Sequence, residues 1–156
     1  MTSSSRESGD TRAIIESLSE FDFERLPAGA ARLDQIVLAA PDYDAGTLGL
    51  LADQLSTRAG RYTLYASSGD QALRASRELR SDLSRAGESG EHILVVKGID
   101  TIDASNVDTS LLGHSYFGER TALADIFNLL KNGKGPDERG LTPHQRVNLR
   151  YWELKP

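Results

Sequence analysis

Apolar residues form short unbroken runs along this chain, and between the runs they recur with the spacing of a helix. Residues 36–40 make up one such run, which is bounded by Asp34 and by Pro41-Asp42. A strand with one solvated face would alternate polar and apolar residues, so unbroken runs indicate strands buried on both faces, as in a parallel sheet. The pattern predicts strands over 36–40, 62–67 and 92–96, and helices over 11–21, 44–58, 71–83 and 119–131.

The order of these elements predicts the fold class. Strands that alternate with helices at this spacing favour right-handed crossovers and an α/β fold, with a mainly parallel sheet of about three strands flanked by helices. Such sheets carry their chemistry in the loops that leave the carboxyl ends of the strands. Those loops begin here at Pro41-Asp42, at 67–70 and at 99–117. The open edges of a three-stranded sheet could also pair with another chain.

The two ends of the chain depart from this pattern. Residues 1–10 are rich in serine and have no apolar segment, so we expect a flexible leader and not a secretory signal. Residues 11–136 form the predicted domain. Residues 137–156 are predicted to be a polar tail in which Tyr151 and Trp152 dock on the domain.

Composition narrows the class of protein. A chain of 156 residues is long enough for one domain with a sizeable core. Hydrophobic residues make up 38% and charged residues 26%, which is typical of a globular protein. The absence of cysteine excludes disulfides and cysteine nucleophiles and fits a cytoplasmic protein. No apolar run approaches the about 20 residues that cross a membrane.

Charge and histidine spacing argue against two kinds of partner. The net charge is -5. The basic residues Arg74, Arg77 and Arg80 alternate with acidic ones, as on a solvated helix face, so a nucleic-acid partner is disfavoured. The three histidines, at positions 92, 114 and 144, lack the spacing of metal ligands. We expect no metal and no cofactor.

Two polar residues stand where a parallel sheet would carry chemistry. His114 follows the third predicted strand, in a loop where an accessible imidazole could act as a general base. Asp70 follows the second predicted strand and could orient that imidazole through a hydrogen bond. Each has a plainer alternative, because His114 could cap a helix or fill a loop and Asp70 could be a helix N-cap.

A pair of aspartates after the first predicted strand has the same ambiguity. We expect Asp44 to be the N-cap of the following helix, and Asp42 to be a possible residue of the site lining.

The order of the acid and the histidine matches that of α/β hydrolases, in which serine, acid and histidine follow one another along the chain. The serine of that class lies on a turn with the sequence G-x-S-x-G, and this chain contains no such pentapeptide. Gly113-His114-Ser115 has the first three residues in the right pattern, but the fifth is Phe117. The motif therefore identifies no nucleophile.

Longer stretches of sequence resemble one family. IVLAAPDYDA, TLYASSGDQAL, GIDTIDASNVDTSLLGHSYF and the terminal YWEL are similar to a bacterial α/β-hydrolase family of unknown specific function, described as esterase- or lipase-like. The resemblance covers about residues 33–156 and implies the C-terminal half of an α/β-hydrolase fold. It implies that Asp70 is the acid and His114 the histidine of a catalytic triad. It also implies a small-molecule ester or amide substrate.

By the same resemblance, Ser8 occupies the nucleophile position. Arg6 and Asp10 stand where the family has glycines. Because glycines relieve close contacts on the strained turn, we favour a leader serine over a nucleophile at Ser8.

The sequence thus predicts an α/β-hydrolase-like protein of the serine ester or amide hydrolase type. We expect it to be truncated and inactive alone, because the nucleophile and part of the oxyanion hole would belong to a missing half. Two alternatives remain open. The chain could form a hydrolase with a second chain that supplies the serine, or it could be a non-catalytic interaction module that binds a partner or itself through open sheet edges.

Overall fold

The computed structural model describes residues 4–22, 25, 33–68, 84–107 and 122–156. The helices are α1 (Ser4–Glu20), α2 (Ala45–Leu55) and α3 (Ala122–Asn132). The strands are β1 (Leu33–Ala39), β2 (Ala59–Ala66), β3 (Asp100–Asp103), β4 (Thr142–Arg146) and β5 (Leu149–Glu153). Short 3-10 turns lie at Gly90–His92 and Pro136–Arg139. No helix within these ranges is both long and apolar enough to span a bilayer.

The strands form one mostly parallel sheet, which confirms the predicted fold class. Their order is β1-β2-β3-β5-β4. Strands β1, β2, β3 and β5 run parallel, and β4 runs antiparallel to β5. The predicted helix over 71–83 lies outside the described residues.

The third strand was predicted at the wrong place. Residues 93–96 have no regular structure, and the strand that pairs with β2 is β3, at Asp100–Asp103. The run 93–96 is apolar because it covers the core, where Leu94 and Val96 pack against the cluster that contains α2. Ile93 is buried and residues 94–96 are partly buried, so the apolar run predicted contact with the core, but such contact does not by itself mean pairing within a sheet.

The C-terminal residues form a strand hairpin where a polar tail was predicted. Strand β5 lies beside β3 and pairs Ile102 with Trp152, so it covers one of the sheet edges that were predicted to be open. Trp152 is buried, and its indole N–H donates a hydrogen bond to Asp137. At the other end of the chain, α1 begins at Ser4 and so includes most of the segment that was predicted to be a flexible leader.

The sheet has a hydrophobic cluster on each face. One face is covered by α1 and α2, and the other by α3. The first cluster contains Ile15, Leu38, Tyr43, Leu48, Ala52, Leu55, Tyr62, Leu64, Ala86 and Ile99. The second contains Tyr65, Ile102, Ala104, Ala122, Leu141, Trp152 and Leu154.

Candidate functional site

The carboxyl ends of β1, β2 and β3 meet at one edge of the sheet, because these strands run parallel. The first residue after β1 and the first residue after β3 each continue the hydrogen bonding to β2. Ala40 N–H donates to the Tyr65 carbonyl at 2.8 Å, and Ala104 N–H donates to the Ala66 carbonyl at 2.8 Å. The loops that leave these strands therefore start side by side, at the edge where α/β proteins place their active sites.

The segment 84–88 holds this edge together. Its backbone bonds to the loop after β1, where Gly87 N–H donates to the Pro41 carbonyl, and to the loop after β2, where Ser67 N–H donates to the Gly87 carbonyl at 2.9 Å. A Cβ at Gly87 would lie 2.5 Å from the carbonyl carbon of Ala40. Ala40 itself has φ 41, an uncommon conformation for a residue other than glycine. The close approach explains why the segment needs glycine at 87.

Two aspartates in the loop after β1 have different contacts. Asp44 is the N-cap of α2, as predicted, and accepts hydrogen bonds from both the backbone N–H and the hydroxyl of Thr47 at 2.7 Å. These bonds lower the pKa of Asp44. Asp42 forms an ion pair with Arg85 at 3.3 Å, with both side chains largely buried at the carboxyl edge. Its role in lining a site stays a prediction.

The loops after β2 and β3 are joined by the side chain of Ser105. Ser68 N–H donates to the Ser105 hydroxyl at 2.9 Å. The same hydroxyl donates to the Asp103 carboxylate at 2.6 Å, and the backbone N–H of Ser105 donates to it at 2.9 Å. Ser68 lies at the start of the loop that continues to Asp70, and Ser105 lies at the start of the loop that continues to His114. Asp70 and His114 themselves lie outside the described residues.

Glu153, at the end of β5, holds the loop after β3 from the other side. Its carboxylate accepts hydrogen bonds from the Asn106 amide at 2.7 Å and from the His144 ring at 2.9 Å. Burial alone would raise the pKa of Glu153. The hydrogen bonds from His144 and Asn106, together with the charge of Lys155, outweigh burial and lower it.

This histidine–carboxylate pair was not predicted, because the C-terminal segment was predicted to be a polar tail. The adjacent aromatic residues Tyr151 and Trp152 within Leu149–Glu153 were the signal that could have revealed the strand, because aromatic side chains favour strands. Within the described ranges, no group of three His, Asp or Glu side chains is arranged to hold a metal ion.

A second polar cluster is buried beneath α3. Tyr65 donates a hydrogen bond to Asp125 at 2.6 Å, and one nitrogen of Arg139 donates to Asp125 at 2.7 Å and to the Tyr65 hydroxyl at 2.9 Å. Burial is the main cause that raises the pKa of Tyr65, and the hydrogen bond to Asp125 and its charge raise it further. Helical periodicity could not predict this cluster, because Asp125 lies within an apolar segment of sequence.

A cleft of about 230 Å³ lies over this cluster, between α3 and the turn at Pro136–Arg139. It is lined by Ala124, Asp125, Asn128, Asn132, Lys134, Glu138 and Arg139.

Ser8 lies within α1, so its backbone is helical. A nucleophilic serine of this fold class lies on a sharp turn between a strand and a helix. The helix at Ser8 begins before it, at Ser4, and the described residues include no strand that leads into α1.

The mostly parallel sheet, with helices on its faces and loops at its carboxyl edge, defines an α/β protein. A family model described as "Alpha/beta hydrolase of unknown function (DUF900)" matches residues 7–132. The chain belongs to this family, and the matched range includes Ser8, Asp42, Asp70 and His114. Searches of curated proteins and of solved structures found no match to the chain.

Proposed function

We propose that this chain supplies the acid, Asp70, and the histidine, His114, of a serine hydrolase site that cleaves small-molecule esters or amides. The observation that carries the proposal is the junction at the carboxyl edge. The loops that lead to Asp70 and His114 start on neighbouring parallel strands and are joined by the hydrogen bond between Ser68 and Ser105. An acid and a histidine on such loops can reach each other, which is the first requirement of a triad.

In the proposed reaction, the imidazole of His114 accepts the proton of a serine hydroxyl as the serine oxygen attacks the carbonyl carbon. Asp70 accepts the hydrogen bond of the other ring nitrogen, fixes the tautomer and stabilises the imidazolium. His114 then gives the proton to the leaving alcohol or amine, and an acyl-serine remains. Water, deprotonated by His114, attacks the acyl carbon and releases the acid and the free serine.

The nucleophile of the proposed site comes from another segment, on this polypeptide or on a second one. The sequence contains no G-x-S-x-G, and Ser8 lies in a helix. Ser8 could act only if the first turns of α1 unwound, because a nucleophile needs the strained turn that exposes its oxygen.

A fluorophosphonate probe on the native assembly, purified with whatever chains accompany this one, tests the proposal. We expect a serine to be labelled and ester turnover to fall roughly 10³-fold or more in His114→Ala, because the general base is lost. His92→Ala is the matched control, because His92 lies in the turn Gly90–His92 and not in the loops that lead to Asp70 and His114. The turnover of this variant should match that of the wild type. No labelling of any subunit, or equal turnover in His114→Ala and the wild type, would contradict the proposal.

A second candidate is a non-catalytic interaction module, and two surface features favour it. Within the described residues β1 is an edge strand with a neighbour on one side only, and an edge strand can pair with another chain. Helix α3 exposes Leu123, Phe127 and Leu130, whereas its buried face contains Asp125. Size-exclusion chromatography with light scattering tests this candidate. A stable, well-folded monomer that pulls down no chain would contradict it.

A further inference from the structure

We propose that Ser105 is a positioning residue that fixes the loop carrying Asp70 against the loop carrying His114. The inference rests on the proposed function. It concerns the described residues Ser68, Asp103 and Ser105, where the two loops begin.

The Ser105 hydroxyl acts as donor and acceptor at once. It donates to Asp103 at 2.6 Å, a short bond of the kind that a charged acceptor makes. With its hydrogen directed to Asp103, its lone pairs face the N–H of Ser68, which donates at 2.9 Å. The two bonds form a chain from one loop, through Ser105, to the last residue of β3.

The anchor of this chain is a rigid part of the sheet. Asp103 is the register partner of Ala66 on β2 and of Glu153 on β5. The Ala104 N–H also donates to the Ala66 carbonyl. Because Asp103 is held on both sides, the position of Ser105 is fixed relative to the ends of both strands. The bond from Ser68 then transfers that position to the loop that leads to Asp70.

Positioning of this kind matters for an acid and a histidine on separate loops. A histidine–carboxylate hydrogen bond tolerates errors of only about 0.5 Å before its geometry is lost. Two loops that leave neighbouring strands share no covalent connection nearby, so a side chain between them sets their spacing. In the described part of these loops, Ser105 is the residue whose side chain makes that bond.

The loss of Ser105 should leave the fold intact. Asn106 remains bonded to Glu153, and the backbone bond from Ala104 to Ala66 does not involve the Ser105 side chain. A variant at this position therefore tests the spacing of the loops more than the stability of the sheet.

The experiment follows the ring protons of His114 by NMR during a pH titration of the full chain. An ionised Asp70 beside the ring would move the titration midpoint to higher pH, so Asp70→Asn should lower that midpoint by roughly one pH unit or more. Ser105→Val should lower the midpoint in the same direction. Ser105→Thr introduces a side chain of nearly the same shape as Ser105→Val but keeps the hydroxyl. In this variant the His114 ring should titrate as in the wild type.

Ser56→Ala is the matched control, since Ser56 makes one side-chain bond at the far end of α2, and it should leave the midpoint unchanged. If Asp70→Asn moves the midpoint and Ser105→Val does not, the role of Ser105 is overturned while the acid–histidine pair stands. If Ser105→Thr and Ser105→Val titrate alike, the hydroxyl is not the positioning group. If Asp70→Asn has no effect, the pair itself does not exist, and the proposed function fails with it.

Discussion

Tyr62 and Tyr65 lie on the same strand and show how differently the two faces of the sheet are built. They are three residues apart, so their side chains point to opposite faces. Both are buried, with 2% and 3% of their surface exposed. The Tyr62 hydroxyl has no hydrogen-bond partner in the described part of the chain, whereas the Tyr65 hydroxyl bonds to Asp125 and Arg139.

The two faces of the sheet are therefore packed in different ways. One is packed by apolar side chains, and the other also buries an ion pair. The face under α1 and α2 is held by apolar side chains such as Ile15, Leu48 and Leu55. The face under α3 includes the ion pair of Asp125 and Arg139, in which both side chains are at most 4% exposed. Removing two charges from water costs free energy, and the contact between the two side chains and the bond from Tyr65 to Asp125 help to offset that cost.

Breaking the ion pair should have the largest effect on stability. Arg139→Met leaves Asp125 charged and buried without its guanidinium, so we expect a loss of about 3–5 kcal/mol in the free energy of unfolding. Urea denaturation measures it. The double variant Asp125→Leu with Arg139→Met removes both charges and should recover most of the loss. An equal loss in the single and double variants would mean that packing, and not charge, holds this face.

Truncating an apolar side chain on the opposite face should cost somewhat less. Leu48 is fully buried, so Leu48→Ala removes buried apolar surface and leaves a cavity, for an expected loss of about 3 kcal/mol. Leu50, on the same helix, is 82% exposed, and Leu50→Ala should change stability by at most about 0.5 kcal/mol. Similar losses in both variants would contradict the packing described for α2.

The two tyrosines give the most direct comparison, because the same substitution is made on one strand. Tyr65→Phe takes a donor from Asp125 and an acceptor from Arg139, so a loss of about 1–2 kcal/mol is expected. Tyr62→Phe removes a buried hydroxyl that has no partner in the described residues, so its effect should be close to zero or stabilising. Thermal unfolding of both variants checks this, and a larger loss for Tyr62→Phe would reverse the comparison.

Acid pH should reveal a smaller electrostatic contribution at the carboxyl edge. The pKa of Glu153 is lowered in the folded protein, so its ionised form stabilises the fold above the unfolded pKa, and this contribution is lost as pH falls through the folded pKa. The contribution should be about 1 kcal/mol or less. The hydrogen bonds to this carboxylate in the folded protein largely replace the bonds that water makes to it in the unfolded chain. Glu153→Gln should flatten the pH dependence of unfolding below about pH 5. Parallel profiles for the variant and the wild type would contradict this assignment.

Local signals in the sequence predicted part of the fold and part of the site. Asp44 was predicted as an N-cap because capping depends on residues that are close in sequence. Its carboxylate accepts the backbone N–H of Thr47, three residues further along the chain. The third strand was predicted at 92–96 because that run is apolar, but Asp100–Asp103 pairs with β2. Pairing depends on the backbone geometry of distant residues, which a run of side chains does not report.

The candidate site, like the fold, was predicted from the sequence only in part. The positions of Asp70 and His114 were predicted from their place after strands, and both remain predictions because they lie outside the described residues. Ser105, Glu153 and His144 were not predicted to be near the site. Asn106 and Glu153 are far apart in sequence, and they meet because the hairpin β4–β5 docks beside β3.

The sequence by itself determined that this chain forms helices and buried strands in alternation, since the spacing of apolar residues is a local property of the chain. It also determined the cap at Asp44. The tertiary structure alone decided which segment became the third strand, that Asp125 would be buried, and that the C-terminal hairpin would extend the sheet. The physical reason is that a buried charge or an unpaired backbone is tolerated only where a partner is present, and here the partners are distant in sequence.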